Sequence, residues 1–201
     1  MTRFMSLLFE TIRICNGEPF NLVLHEQRLN LSRRKLFGST GEISLARHIR
    51  IPDDCRSGAY RCRVIYGESI ISTEFIPYLR ASVRTIKVVR ADDIDYSYKY
   101  LDRACLTGLI DRGAADDVLI VKNGCVTDTS YSNIVFTDGR QWVTPGTPLL
   151  RGTMREKLLL EGTIREERII VDDLARFTHF RLINAMLEFN APLLPIKNIV
   201  R

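Results

Sequence analysis

The chain has 201 residues, of which 45% are hydrophobic and 26% are charged, and its formal net charge is +5. A chain of this length and composition can bury a sizeable core, which excludes a disordered or low-complexity protein. It contains no apolar run of about eighteen residues and opens without the apolar stretch of a secretory signal. We therefore expect a cytoplasmic protein that does not span a membrane.

The positive charge fits either nucleic acid or an anionic small molecule as a partner. The densest basic run, Arg33-Arg34-Lys35, is short and has only Phe37 as an aromatic neighbour. Nucleic-acid surfaces carry broader basic stripes or stacking platforms, so we expect no nucleic-acid partner. The five cysteines are widely spread, with no CxxC pair and no histidine at metal-ligand spacing, so we expect reduced thiols and no metal site.

The N-terminal part of the chain predicts a small α+β domain that ends near Arg80. An Asn16-Gly17 pair predicts a tight turn between two strands, and alternating apolar residues predict a hairpin that turns near Gly67. The predicted elements are two strands within residues 6–20, a helix at 25–37, and hairpin strands at 61–66 and 69–76.

Residues 81–201 predict a larger mixed domain with a mostly antiparallel sheet. Apolar residues at helical spacing from Leu101 predict a helix over Tyr100–Arg112 that Gly113 ends. Asn123-Gly124 and Asp138-Gly139 suit tight turns within an antiparallel meander. The meander strands are predicted at 118–121, 125–127, 133–136 and 142–144, followed by a helix at 152–162 and short strands at 169–171 and 182–184.

Lys99 stands immediately before the predicted helix and follows Tyr96 and Tyr98. A lysine in a partly buried setting among tyrosines can lose its charge, and the neutral amine then forms a Schiff base with a carbonyl. The alternative is a surface lysine whose stem lies along apolar groups.

Asp128 lies between two predicted strands, in the segment VTDTSYSN at 126–133. A buried carboxylate there could keep a pyridinium nitrogen protonated, which turns pyridoxal phosphate into an electron sink. The alternative is an Asx turn, in which serine and asparagine side chains only satisfy backbone groups.

Two further features of the sequence could bind a phosphate. In the segment LRGTMR at 150–155, which follows Thr144-Pro145, a glycine lets the backbone approach a ligand and a helix start presents free N–H groups. Arg28, in the first predicted helix, could supply a charged contact to the same kind of group. A loop without a ligand and an ordinary helix arginine are the respective alternatives.

Together, the order and spacing of these features resemble the class IV aminotransferases of pyridoxal-phosphate fold type IV. The resemblance runs from Phe9–Arg13 to Leu182–Met186, and its most specific parts are the segments NGCVTDTSYSN at 123–133 and LRGTMR at 150–155. It implies a two-domain α+β enzyme with pyridoxal 5'-phosphate as cofactor, and a homodimer.

The resemblance also implies a role for each site residue. Lys99 is the Schiff-base lysine and the catalytic residue, and Asp128 faces the pyridine nitrogen. Leu150 packs on the cofactor ring. The other implied cofactor-binding residues are Arg28 and the amides of Gly152, Thr153 and Met154 at the phosphate, Asn184 and Ala185 at the edge of the phosphate pocket, and Ser130 and Asn133 beside Asp128.

The chain departs from the family pattern at three places. Asp128 stands where the family usually has glutamate, so the shorter side chain must be brought closer or act through water. The chain also begins after the family's first strand and glycine-containing loop. It is shorter than family members between Gly67 and Lys99, so we expect a more open substrate pocket.

Within the family, KYLDR at 99–103, the GTMR form of the phosphate segment at 152–155, and INAM at 183–186 are most similar to aminodeoxychorismate lyase. This implies a small-molecule amine substrate that loses pyruvate and aromatises to 4-aminobenzoate. A branched-chain or D-amino-acid aminotransferase is the alternative, although these usually carry threonine where Met154 stands. A non-catalytic member that binds cofactor or a partner protein is a second alternative.

Overall fold

The computed structural model describes residues 6–111 and 113–201. The chain divides into two compact units: the first runs to Arg80 and also includes Tyr98–Asp102, and the second contains Ala81–Ser97 and Arg103–Arg201. The sequence prediction placed Lys99 in the second domain, and this is wrong. Lys99 belongs to the first unit because the backbone of its segment pairs with a strand there, through a bridge between Leu8 and Tyr100.

The first unit is one four-stranded antiparallel sheet covered by a helix. Its strands are β1 (Leu8–Cys15), β2 (Glu18–Pro19), β3 (Ala59–Tyr66) and β4 (Ile70–Pro77), in the order β2-β1-β3-β4. The helices are α1 (Leu22–Phe37), the short α2 (Leu45–His48) and a 3-10 turn at Asp53–Cys55. The predicted strands, first helix and hairpin are confirmed.

Alternation along β1 explains how this unit packs. Leu8, Ile12 and Ile14 are fully buried and share a core cluster with Leu29 of α1. Because successive strand residues point to opposite faces, Glu10 lies on the same covered face as these apolar side chains. The sequence thus places a carboxylate inside the core of the first unit.

The second unit contains nine strands and two helices among its described residues. One sheet has the order β13-β5-β6-β7 and the other β10-β9-β8-β11-β12. The strands are β5 (Ile86–Arg90), β6 (Asp117–Lys122), β7 (Cys125–Thr129), β8 (Asn133–Thr137), β9 (Trp142–Pro145), β10 (Arg165–Glu167), β11 (His179–Ile183), β12 (Leu194–Pro195) and β13 (Ile199–Val200). The helices are α3 (Ala104–Thr107) and α4 (Thr153–Leu160), and 3-10 turns lie at Val171–Arg176 and Ile196–Asn198.

The α+β fold class is as predicted, and two features of its second unit follow directly from the sequence. The apolar run of β6 is buried because this strand is central, parallel to β5 and antiparallel to β7. At both predicted Asn-Gly turns, φ is positive at both residues: 50° and 81° at Asn16-Gly17, and 50° and 76° at Asn123-Gly124. Such turns match the twist of the strands they join.

Three predicted elements of the second unit differ from the structure. The meander is split, since β6 and β7 lie in one sheet while β8 and β9 lie in the other. The predicted helix at 100–112 is reduced to α3, and its Arg112 lies outside the described residues. The predicted strand at 169–171 forms only a single bridge, between Ile170 and Cys125, and β10 lies before it. Among the described residues, no helix is long and apolar enough to cross a membrane.

Candidate active site

Lys99 lies against Phe9 in the first unit. The Phe9 backbone N–H donates to the Lys99 carbonyl at 3.0 Å, and Lys99 Nζ lies 4.6 Å from the centroid of the Phe9 ring. The Arg63 guanidinium lies 5.3 Å from the same centroid. An aromatic ring attracts a cation above its face, so Phe9 orients the Lys99 amine as well as its backbone.

Arg28 is held by a buried acid that sequence reasoning missed. Arg28 Nε donates to Glu10 Oε1 at 2.9 Å, and Arg28 Nη2 donates to Glu10 Oε2 at 2.5 Å. His25 Nδ1 lies 2.7 Å from Glu10 Oε2, and both His25 and Glu10 are fully buried. The predicted phosphate arginine therefore has its guanidinium oriented by a charge-assisted, two-point contact.

Burial and charge set the protonation of this trio. Burial alone would raise the pKa of Glu10, but the Arg28 charge and the hydrogen bonds from His25 and Arg28 lower that pKa to about 2. Burial lowers the pKa of His25, against the opposing effect of Glu10. Glu10 is therefore ionised and His25 neutral near pH 7, and His25 donates its Nδ1 proton because an ionised carboxylate only accepts.

Asp128 is the centre of a hydrogen-bond network in the second unit. Its Oδ1 accepts from Asn133 Nδ2 at 2.7 Å, and its Oδ2 accepts from the Leu150 backbone N–H at 2.9 Å. Burial raises the pKa of Asp128 to about 6, although the hydrogen bonds from Leu150 and Asn133 oppose this effect. The carboxyl group thus titrates near neutral pH, where many proton-transfer groups operate.

Asn133 extends this network to the start of α4. Its Nδ2 also donates to the Leu150 carbonyl at 2.8 Å, and its Oδ1 accepts from the Gly152 N–H at 3.1 Å. A Cβ atom at position 152 would lie 2.1 Å from Asn133 Oδ1. Glycine is required at 152 because Asn133 occupies the space of a side chain, which is a different reason from the ligand approach expected from the sequence.

The N-terminus of α4 presents backbone donors. The first helical bond runs from the Glu156 N–H to the Gly152 carbonyl at 2.9 Å, so the amides of Thr153 and Met154 precede the regular helix bonds. The N-cap residue, Gly152, has no side chain that could cap this end. The Gly152 amide, one of the three amides predicted at the phosphate, donates to Asn133 Oδ1 and so already has an acceptor within the protein.

Ser130 is held through its backbone by two charged side chains. Its N–H donates to Asp117 Oδ1 at 3.3 Å, and its carbonyl accepts from Arg103 Nη2 at 2.6 Å. Burial raises the pKa of Asp117. Sequence reasoning did not single out Asp117, although an acid at the head of an apolar strand is a recognisable signal.

Asn184 organises a turn and links it to the segment after Asp128. Its Nδ2 donates to Ser132 Oγ at 2.9 Å, and its Oδ1 accepts from the Met186 N–H at 2.8 Å. Ala185 lies within this turn. The structure therefore joins Asp128, Asn133, Leu150 and Gly152 in one network, and ties Asn184 to the same strand connection.

The donor set fits a phosphorylated pyridine cofactor. A helix N-terminus favours an anion such as phosphate through its backbone amides and its dipole. A carboxylate has about four lone-pair sites, so Asp128 can accept from Asn133 and Leu150 and still keep a lone pair for a ring N–H. In the first unit, Lys99 offers the kind of amine with which an aldehyde cofactor could form a covalent bond.

Comparison with known proteins identifies the family. The sequence profile of the "Amino-transferase class IV" family matches residues 99–199. An uncharacterised protein of Haemophilus influenzae is 42% identical over 182 residues, which span 89% of this chain and 97% of that protein. This chain belongs to the class IV aminotransferase family. Its family match begins at Lys99 itself.

Two solved structures of the class IV aminotransferase fold are similar to the chain. A protein from Haemophilus somnus, provisionally named 4-amino-4-deoxychorismate lyase, is 37% identical with a TM-score of 0.86, covering 92% of this chain and 99% of that one. A hypothetical aminotransferase of Mycobacterium tuberculosis, in a form bound to pyridoxal phosphate, is 21% identical with a TM-score of 0.76. This second likeness covers 95% of this chain and 81% of that one and shows the fold alone.

Proposed function

We propose that this protein is a pyridoxal-phosphate-dependent lyase that converts aminodeoxychorismate to 4-aminobenzoate and pyruvate. The observation that carries cofactor use is the network in which buried Asp128 reaches the start of α4 through Asn133. The choice of lyase is supported by the likeness, over 99% of its length, to the Haemophilus somnus protein that bears a lyase name.

In this proposal, Lys99 is the point of covalent attachment and the base that moves a proton at the substrate. The Phe9 ring orients the Lys99 amine, which lies over the face of that ring. Arg28, oriented by Glu10, and the amides of Thr153 and Met154 neutralise the phosphate charge. Leu150 contributes an apolar side chain that would pack on the ring, while Asn184 and Ala185 border the phosphate.

Asp128 is proposed to accept a hydrogen bond from the protonated ring nitrogen. When bound, pyridoxal phosphate supplies the electron sink for the bond broken at the substrate carbon. A positive ring nitrogen near Asp128 favours the ionised carboxylate, because an opposite charge lowers the pKa of an acid. Asp128 is therefore expected to be ionised when the cofactor is bound, and Ser130 and Asn133 hold the segment that presents it.

Product analysis tests the proposal. Purified protein with pyridoxal phosphate is incubated with aminodeoxychorismate, and separately with amino acids plus 2-oxoglutarate, with Lys99→Ala as the control. The proposal expects 4-aminobenzoate and pyruvate in equal amounts from the first mixture, and none from Lys99→Ala. Glutamate formation in the second mixture alone would identify an aminotransferase, and no turnover in either would favour the non-catalytic alternative.

We also propose a homodimer, as the family resemblance implies. Light scattering on the purified protein measures its mass directly. Twice the chain mass of 23.1 kDa supports the dimer, and the chain mass itself refutes it.

A further inference from the structure

Arg155 is a buried cation in the first turn of α4. The side chain is 0% exposed and is the largest fully buried one among the described residues. Its Nη2 donates to the Pro145 carbonyl at 3.0 Å and to Glu166 Oε1 at 2.6 Å. Its Nε and Nη1 are buried without a partner in the described part of the chain.

If Arg155 served only the stability of the fold, burying it with so few partners would be unfavourable. Removing a guanidinium from water is repaid only when its donors are well satisfied, and here only one of the three nitrogens has partners. The ion pair with Glu166 offsets only part of this cost, because the Glu166 side chain is 45% exposed and solvent weakens its attraction for Arg155. An apolar side chain of similar volume would fill the same space at lower cost, so the position of Arg155 requires another explanation.

The contacts of Arg155 fall at one end of the loop formed by residues 146–152. Pro145, which ends β9, is the residue before the loop, and its carbonyl is held by Arg155. At the other end, Leu150 is held by Asp128 and Asn133. Both ends of the loop are thus fixed by buried polar side chains, and Arg155 ties the helix that follows the loop to the strand that precedes it.

We propose that Arg155 is a positioning residue for the cofactor phosphate: by tying α4 to Pro145, it fixes the Thr153 and Met154 amides at the place where the phosphate binds. This inference rests on the proposed function. The positive charge of Arg155 acts in the same direction, since it adds to the favourable potential for an anion at a helix N-terminus. It also lowers the pKa of Asp128 relative to burial alone.

The affinity ratio between pyridoxal 5'-phosphate and pyridoxal isolates the phosphate contribution, because both compounds have the same ring and aldehyde. Titration of the cofactor-free protein with each compound gives this ratio for the parent and for Arg155→Met and Arg155→Lys. Lys157→Met is the matched control, since it removes a charge from an exposed position of the same helix. Unfolding free energies are measured in parallel.

We expect the ratio to fall at least tenfold in Arg155→Met, to fall less in Arg155→Lys, and to stay at the parent value in Lys157→Met. An unchanged ratio with reduced stability would show that Arg155 is only structural and would overturn the inference. If Arg155→Met does not fold, Arg155→Lys decides in the same way. A parent protein that does not prefer the phosphorylated compound would instead refute the proposed function, so the two failures are distinguishable.

Discussion

Asn133 donates a hydrogen bond to Asp128 Oδ1 at 2.7 Å, and the same amide group contacts both Leu150 and Gly152. The proposed ring-nitrogen partner and the proposed phosphate-binding end of α4 therefore belong to one hydrogen-bond network. A change at any member of this network should affect both functions.

Gly152→Ala should disrupt the Asp128–Asn133 network, although it adds only one methyl group. The new Cβ would meet Asn133 Oδ1 at 2.1 Å, so Asn133 must move and its buried hydrogen bonds break. We expect a loss of about 1–3 kcal/mol in the free energy of unfolding, from buried polar groups left unpaired, together with weaker retention of the phosphorylated cofactor. Gly146→Ala is the control, because its nearest neighbour would be the Glu167 carbonyl oxygen at 3.6 Å. Equal effects of the two substitutions would contradict the steric argument.

Asp128→Asn should lower turnover by at least about a hundredfold, on the scale of a preorganised charge removed from a site. Asparagine offers one acceptor oxygen where Asp128 accepts from both Asn133 and Leu150, so the substitution removes a hydrogen bond as well as the charge. Asp128→Glu keeps the charge and should retain more activity than Asp128→Asn. Steady-state kinetics and the cofactor absorbance test this. Turnover by Asp128→Asn at the parent rate would show that Asp128 is only a turn residue.

Glu10 should make the protein sensitive to acid. Its pKa falls from 4.5 to about 2 on folding, so its contribution to stability is present above pH 4.5 and is lost as the pH falls towards 2. The shift corresponds to about 3 kcal/mol. Urea unfolding of the parent and Glu10→Gln at several pH values tests this. We expect the gap in unfolding free energy to be largest at pH 7 and to shrink below pH 4.5, and a constant gap would be evidence against the assignment.

The contribution of Asp128 to stability should have the opposite pH dependence in the cofactor-free protein. Its pKa rises from 3.8 to about 6 on folding, so its favourable contribution is present below pH 3.8 and is lost as the pH rises through about 6. Unfolding free energies of the parent and Asp128→Asn, compared at pH 4 and pH 7, measure the effect. We expect the parent to lose about 2 kcal/mol relative to the variant over this interval. The prediction fails if the two proteins respond to pH alike.

The sequence predicted most of the first unit because local signals determine it. The Asn16-Gly17 turn and the apolar alternation of β1 and β3 need no knowledge of distant partners. The segment after Lys99 was predicted as a helix because the apolar spacing from Leu101 is helical. In the structure the Leu101 N–H donates instead to the Leu7 carbonyl at 2.8 Å. A contact between residues so distant in sequence does not change the local spacing of apolar residues, so that spacing cannot predict it.

The candidate site was predictable in part for the same reason. The sequence indicated Gly152 through its position before a helix. That only glycine leaves room for Asn133 is visible in the structure alone. Glu10 carried a signal that was missed: it is an acid at an inward position of an apolar strand, which requires a buried partner. Arg155 carried no such signal, since an arginine in the first turn of a helix is ordinary in sequence.

Borohydride reduction of the protein with pyridoxal phosphate, followed by peptide mass spectrometry, tests the central assignment most directly. We expect one pyridoxyl group per chain, on the peptide that contains Lys99, and none on Lys99→Ala under the same conditions. Lys87 and Lys122 serve as internal controls because they lie on strands of the second unit. A pyridoxyl group on either of these lysines, with Lys99 unmodified, would show that Lys99 is not the attachment site.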